Sequence, residues 1–157
     1  MSADSERLAL SHALMACQAH EEPLREALND LAKSKLSPEN LDRLSKDDRR
    51  LLDQFAYRYT RLQDDLGARL MPAVLKALGE DIAPMPVLDR INRLEQLNWL
   101  PSAQEWIDLR RIRNEFAHDY PEAVEDRHER LTLALAAAAR LLEILKLFEA
   151  RIDERFG

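Results

Sequence analysis

Apolar residues recur along this chain at intervals of three and four rather than two, the spacing that lays them on one face of an α-helix. The first such stretch begins after Ser2 or Asp4 and carries Leu8, Leu10, Leu14, Met15 and Cys17. Pro23, with no N–H to donate, marks a break or kink before Leu24, Leu28 and Leu31. Ser37-Pro38 sets a capping hydroxyl before a proline at the first helical position and predicts a short helix to about Leu44. Ser45-Lys46-Asp47-Asp48 then opens a long element in a loose, capping-box-like way. Leu51, Leu52, Phe55, Tyr59, Leu62, Leu66, Leu70, Val74 and Leu78 follow at helical spacing until Gly79 ends it.

Glu80 to Pro86, with Pro84 and Pro86, reads as a loop. Beyond it Val87, Leu88, Ile91, Leu94, Leu97 and Leu100 form a short amphipathic helix, closed by Pro101-Ser102. A helix from about Ala103 carries Trp106, Leu109, Ile112, Arg113 and Phe116 and must end near His118, because Pro121 biases Tyr120 away from helical geometry. Pro121-Glu122 starts a last helix through Leu131, Leu135, Ala138, Leu142, Leu145, Phe148 and Ile152, in which Ala136 to Ala139 permit a neighbour to approach closely. The prediction is an all-α, antiparallel bundle of about five to six helices, residues 1–157 forming one domain.

Composition narrows the class. The 157 residues hold only three glycines, so no phosphate-cradling glycine loop exists and folds built on glycine-rich strand-to-helix turns are disfavoured. No apolar run approaches a membrane span and no signal peptide precedes the first helix, which places the chain in the cytoplasm. The single Cys17 excludes an internal disulfide and a cysteine-built zinc site, and its apolar neighbours make it a small core residue. No metal or cofactor is expected.

Chemistry concentrates in Arg110-Arg111-Ile112-Arg113-Asn114-Glu115-Phe116-Ala117-His118-Asp119-Tyr120-Pro121. A guanidinium is a permanent cation with a forked donor array suited to phosphate, an imidazole titrates near neutral pH, and a tyrosine adds a hydroxyl. On an undistorted helix Arg113 and His118, five positions apart, would lie about 140° apart. Ending the helix between them lets the histidine turn back, at a terminus whose partial negative charge favours imidazolium.

Arg113, four residues, His118, one residue and Tyr120 resemble the signature of the HepT toxins of the HEPN superfamily, and Asn114 matches the polar residue common after that arginine. Tyr59-Thr60-Arg61-Leu62-Gln63-Asp64 with Gly67, and Leu97-Asn98-Trp99-Leu100-Pro101 before Trp106, resemble helices beside the motif in such chains. The resemblance covers roughly Leu51 to the C-terminus. It implies a small all-α bundle, a metal-independent endoribonuclease with Arg113 and His118 as the catalytic pair, and a homodimer sharing one cleft. It also implies a separately encoded minimal nucleotidyltransferase antitoxin that silences the toxin by adenylylating Tyr120. The chemistry agrees: RNA transphosphorylation needs a base, an acid and positive charge on a crowded phosphorane. One histidine per chain supplies one proton-transfer partner, and a two-fold dimer supplies the second. The alternative is a non-catalytic nucleotide- or substrate-binding accessory subunit of a two-component nucleotidyltransferase; a purely structural helical dimer is the third class.

A net charge of −6 gives no general attraction for RNA, so binding must be local. Arg110, Arg111 and Arg113, with Arg127, Arg90 and Arg93, form a basic rim, or else lie on solvated faces paired with Glu105, Asp108, Glu115 and Glu125. His12 and His20 lack ligand spacing and read as surface or partner-contact residues, as does His128. Trp99 and Trp106, lying among leucines, read as packing residues. Asp47-Asp48 and Asp64-Asp65 read as solvated faces. Asp119 either caps the final helix or orients His118.

Overall fold

The computed structural model describes residues 2–34, 36–118 and 123–157. Helix α1 (Ser2–Gln18) and helix α2 (Glu21–Ser34) are joined by a tight turn in which His20 N–H donates to the Cys17 carbonyl at 3.1 Å. The break thus precedes Pro23, which sits in the first turn of α2, where a missing N–H costs nothing. Helix α3 is one turn (Pro38–Leu41). Ser37 takes the extended backbone of a cap without lending its hydroxyl, and the chain leaves the helix at Asp42, held by Arg127 from the last helix. The expected continuation to Leu44 does not form.

Helix α4 (Lys46–Asp65) opens as its sequence predicts, Ser45 Oγ accepting from the Asp48 N–H at 3.1 Å. It continues through a π-helical turn (Leu66–Leu70) into helix α5 (Met71–Ala77). Pro72 accounts for that turn. In a regular α-helix its ring would strike the Ala68 carbonyl, and widening to a five-residue step, with Met71 N–H donating to the Leu66 carbonyl, carries the rod through. The rod ends where Gly79, at φ +88°, reverses the chain, with Glu80 N–H reaching the Leu75 carbonyl and Gly79 N–H that of Lys76.

Helix α6 (Val87–Gln96) closes the same way, which corrects its expected extension to Leu100. Asn98 takes φ +63°, and Trp99 N–H caps the Leu94 carbonyl at 2.9 Å. Helix α7 (Ala103–Ala117) begins at Ser102, whose Oγ accepts from the Glu105 N–H at 3.0 Å. Helix α8 (Val124–Phe156) follows; its predicted start at Pro121-Glu122 lies outside the described residues.

The rod from α4 to α5 is the axis of the bundle: α2 packs on α4, and α1 on the π-turn and α5. On the other side α7 lies against α4 and α8, and α6 bridges α5 and α7. Counting the rod once, six helices longer than two turns and the single turn α3 make an all-α bundle among the described residues. Trp106, Tyr59, Phe55 and Phe148 are the largest fully enclosed side chains, and Ala134, Ala137 and Ala138 line the buried stripe of α8. Not every apolar periodic position is inward. Leu8, Met15, Val87 and Leu88 are more than half exposed, since α1 meets the core through Leu10, Ala13 and Cys17 and α6 through Ile91 and Leu94. Among the described residues no helix is long and apolar enough to cross a membrane.

Candidate functional site at the α4, α6 and α7 junction

The π-turn places Gly67 against α7. A β-carbon there would lie 3.1 Å from Trp106 Cζ2, so glycine is what allows the indole to pack on the rod. Trp106 is 1% exposed and anchors α7, fixing which way the arginines one to two turns later point.

Arg113 faces α4. Its Nη2 donates to Asp64 Oδ2 at 2.7 Å, while its Nε is buried without a partner. The Asp64 carboxylate therefore holds the guanidinium in place and leaves donors uncommitted. Arg110 is exposed beside it and makes no ion pair among the described residues, whereas Arg111 turns outward to Asp108 at 3.8 Å and Glu115 at 3.6 Å. Arg111 thus lies on a solvated face with its carboxylate neighbours, while Arg110 borders the hollow described next. Asn114 is exposed on the same side.

A hollow of about 410 Å³ opens here between the rod, α6 and α7, and Arg90, Arg110 and Arg113 all line it. Arg90 is oriented by the carbonyls of Met85 and Ile82, each accepting at 3.0 Å. Three guanidiniums face one carboxylate, Asp64, so the hollow is locally basic in a chain of net charge −6. Arg93 takes no part, being bound to Glu80 and Gln96.

His118 caps α7 with an extended backbone at φ −81°, ψ 172°, its N–H bonded to the Asn114 carbonyl at 3.1 Å. The helix ends where Pro121 predicts, and His118 is exposed. It lines a second hollow, of about 290 Å³, with Arg127, Arg130 and Phe116. Arg113 and His118 therefore open onto different hollows of the chain. Asp119 and Tyr120, the orienting and modification candidates, lie outside the described residues.

Several polar groups stand where sequence reading did not put them. Gln63 is 3% exposed, is among the residues around the first hollow, and has no partner among the described residues at either Oε1 or Nε2, both of which are sealed. One turn earlier the Tyr59 hydroxyl is enclosed and equally unpartnered, its ring stacked on Phe55 at 5.4 Å. Burial pushes that phenol well above its ordinary range, against a weaker downward pull from Arg113. The signal was present: Gln63 is the polar residue on the face otherwise made by Phe55, Tyr59, Leu62, Leu66 and Leu70.

His20, read as a surface or partner-contact residue, is instead buried at the α1–α2 turn. Arg58 Nη1 donates to its Nδ1 at 3.2 Å, so the ring proton sits on Nε2, facing Asp65 Oδ2 at 3.1 Å. Asp65 is accordingly an anchoring residue, while Asp64 is exposed, as a solvated face requires, and holds Arg113 from there. Cys17 is fully buried, and its thiol is pushed up from 9.0 to about 12 by burial first and by the Asp65 charge second. His128 is half-buried with Nε2 3.3 Å from the Leu36 carbonyl oxygen. Among the described residues no group of three or more histidine, cysteine, aspartate or glutamate side chains is arranged to hold a metal ion.

Comparisons with family models, with curated proteins and with solved structures returned no match.

Proposed function

We propose that the chain is a metal-independent endoribonuclease, the toxin of a two-gene pair, in which Arg113 binds the scissile phosphate and His118 transfers protons. The observation that carries this reading is the state of Arg113, held by Asp64 at 2.7 Å, with Arg110, which makes no ion pair among the described residues, lining the same hollow. A planar donor array fixed in this way suits two phosphate oxygens. His118, exposed at a helix C-terminus, can exchange protons with a substrate. In the reaction, one imidazole takes the 2′-hydroxyl proton and the 2′-oxygen attacks phosphorus. A second imidazolium protonates the departing 5′-oxygen, leaving a 2′,3′-cyclic phosphate. Because Arg113 and His118 line different hollows, RNA must span both or a second copy must bring its own pair across a two-fold axis. A nucleotidyltransferase partner that adenylylates Tyr120 would add negative charge two positions along the chain from His118 and repel RNA.

The test is cleavage of cellular RNA by purified protein, shown by mass to be unmodified, in the presence of chelator and beside His118→Ala and Arg113→Ala. Chelator-resistant cutting to a cyclic phosphate, lost in both variants, is the expected result. The separation of Arg113 from His118 favours a second reading, a non-catalytic accessory subunit of a two-component nucleotidyltransferase. Absence of cutting by folded, unmodified protein, together with a stable complex with the transferase, would replace the first reading by the second.

A further inference from the structure

Because Arg113 and His118 line different hollows, a phosphate beside His118 needs positive charge from another residue of the same chain. The hollow that His118 borders, of about 290 Å³, is also lined by Arg49, Arg127 and Arg130, and the three are not equivalent. Arg127 is neutralised by Asp42. Arg49 is exposed on α4 one turn before Asp53, a carboxylate that borders the hollow too. Arg130 is half-buried, and its Nη1 donates to the main-chain carbonyl of Glu115 at 3.0 Å. That carbonyl belongs to the last turn of α7, where the helix itself supplies no donor, so the guanidinium closes the helix end from which His118 leaves. A cap of this kind asks for one N–H and no charge. Arg130 brings a permanent cation, and a carbonyl leaves that charge uncancelled where a carboxylate would not. Its Nε and Nη2 make no hydrogen bond among the described residues, and the Glu115 carboxylate is engaged instead by Arg111 at 3.6 Å. The outcome is an oriented cation fixed to the same helix end as His118 and bordering the same hollow.

We propose that Arg130 binds the RNA phosphate beside His118. The inference rests on the ribonuclease reading and adds to it a guanidinium on the histidine's own side, whichever copy of the chain brings Arg113 to the strand. Nε–H and Nη2–H form the parallel edge of the fork, suited to the two non-bridging oxygens, on which charge grows as the 2′-oxygen attacks. No proton moves through Arg130, since a guanidinium keeps its protons; acid and base remain imidazoles.

The test follows two quantities in the full chain, shown by mass to be unmodified: the rate of RNA cleavage in chelator, and the affinity for a 2′-deoxy oligonucleotide, which transphosphorylation cannot cut, across a series of salt concentrations. Arg130→Gln should lower the cleavage rate by about a hundredfold or more, the loss expected when a donor to developing charge is removed. It should also flatten the slope of log affinity against log salt by about 0.7, the share of one phosphate contact on a single strand. Arg130→Lys keeps the charge without the fork and should restore the slope but only part of the rate. Arg111→Gln makes the same charge change on the solvated face of α7 and should leave both quantities as in the wild type. The slope separates binding from capping, because a variant that has lost only the α7 cap melts at a lower temperature yet binds with the wild-type slope. The assignment is overturned if the oligonucleotide does not bind, if Arg130→Gln keeps the wild-type slope, or if Arg111→Gln flattens it as much. Should the folded wild type bind the oligonucleotide and cut no RNA, the ribonuclease reading fails, while the slope still decides whether Arg130 holds a phosphate.

Discussion

Replacing Tyr59 by phenylalanine removes one oxygen from the centre of the bundle and little else. The ring is fully enclosed, stacked on Phe55 at 5.4 Å and met edge-on by Phe116 at 5.5 Å, and its hydroxyl has no partner. A buried hydroxyl without a hydrogen bond costs about 1–3 kcal/mol, and phenylalanine keeps all of the ring's packing. Tyr59→Phe is therefore expected to stabilise the fold by about 1–2 kcal/mol, against the usual direction of core substitutions. In a chain of this size that is roughly 2–8 °C in melting temperature. Urea denaturation followed by far-ultraviolet circular dichroism measures it, with the midpoint rising and the slope unchanged. A second signature comes from titration. The folded phenol is pushed up by burial, so its protonated form is favoured in the native state. The stability tied to that shift is fully present below the unfolded value of about 10 and is lost as pH rises towards the folded one. The advantage of the phenylalanine variant should accordingly widen above pH 10. A variant destabilised by 1 kcal/mol or more would refute the reasoning, because it would mean that the hydroxyl has a partner.

Three other expectations follow from local geometry. Cys17, pushed up to about 12, should resist an aromatic disulfide reagent in the native state at pH 8 and react in urea, and immediate stoichiometric labelling of native protein would contradict its burial. Its raised value also implies that its share of stability, complete below pH 9.0, declines as pH climbs towards 12. Glu80 is held below the ordinary carboxylate value of 4.5 chiefly by its hydrogen bond from Arg93. That stabilisation is present above pH 4.5 and lost as pH falls through the depressed value, so melting curves of wild type and Glu80→Gln should converge in acid. Ser45→Ala removes the acceptor for the Asp48 N–H and should cost about 1 kcal/mol, read as a drop of roughly 2–4 °C in melting temperature.

What the chain's own order of residues decides is local. Ser45 and Ser102 start helices and Gly79 ends one, because a capping hydroxyl or a left-handed residue acts within one turn of itself; Asn98 ends α6 by the same means, short of the Leu100 that the apolar spacing suggests. Pro121 likewise limits α7 to the residues before His118. Those signals make the all-α class and most of the core legible, since a stripe at helical spacing has one apolar face wherever the helix docks. The docking itself they do not contain. Whether Arg110 and Arg111 meet a hollow or solvent depends on a 100° difference around α7 and on where Trp106 seats that helix against Gly67. His20 is buried because α2 turns back onto α4, bringing it to Arg58 and Asp65 from thirty-eight and forty-five positions away. Arg113 and His118 are neighbours in sequence, yet only the packing of α4, α6 and α8 around α7 assigns them to separate hollows. Gln63 interrupts an apolar face, a sign visible in the chain, but that no described residue pairs with its carboxamide is a property of what the other helices place around it. Hydrogen-bond satisfaction and pocket shape are sums over residues distant in sequence, and only the tertiary structure performs that sum.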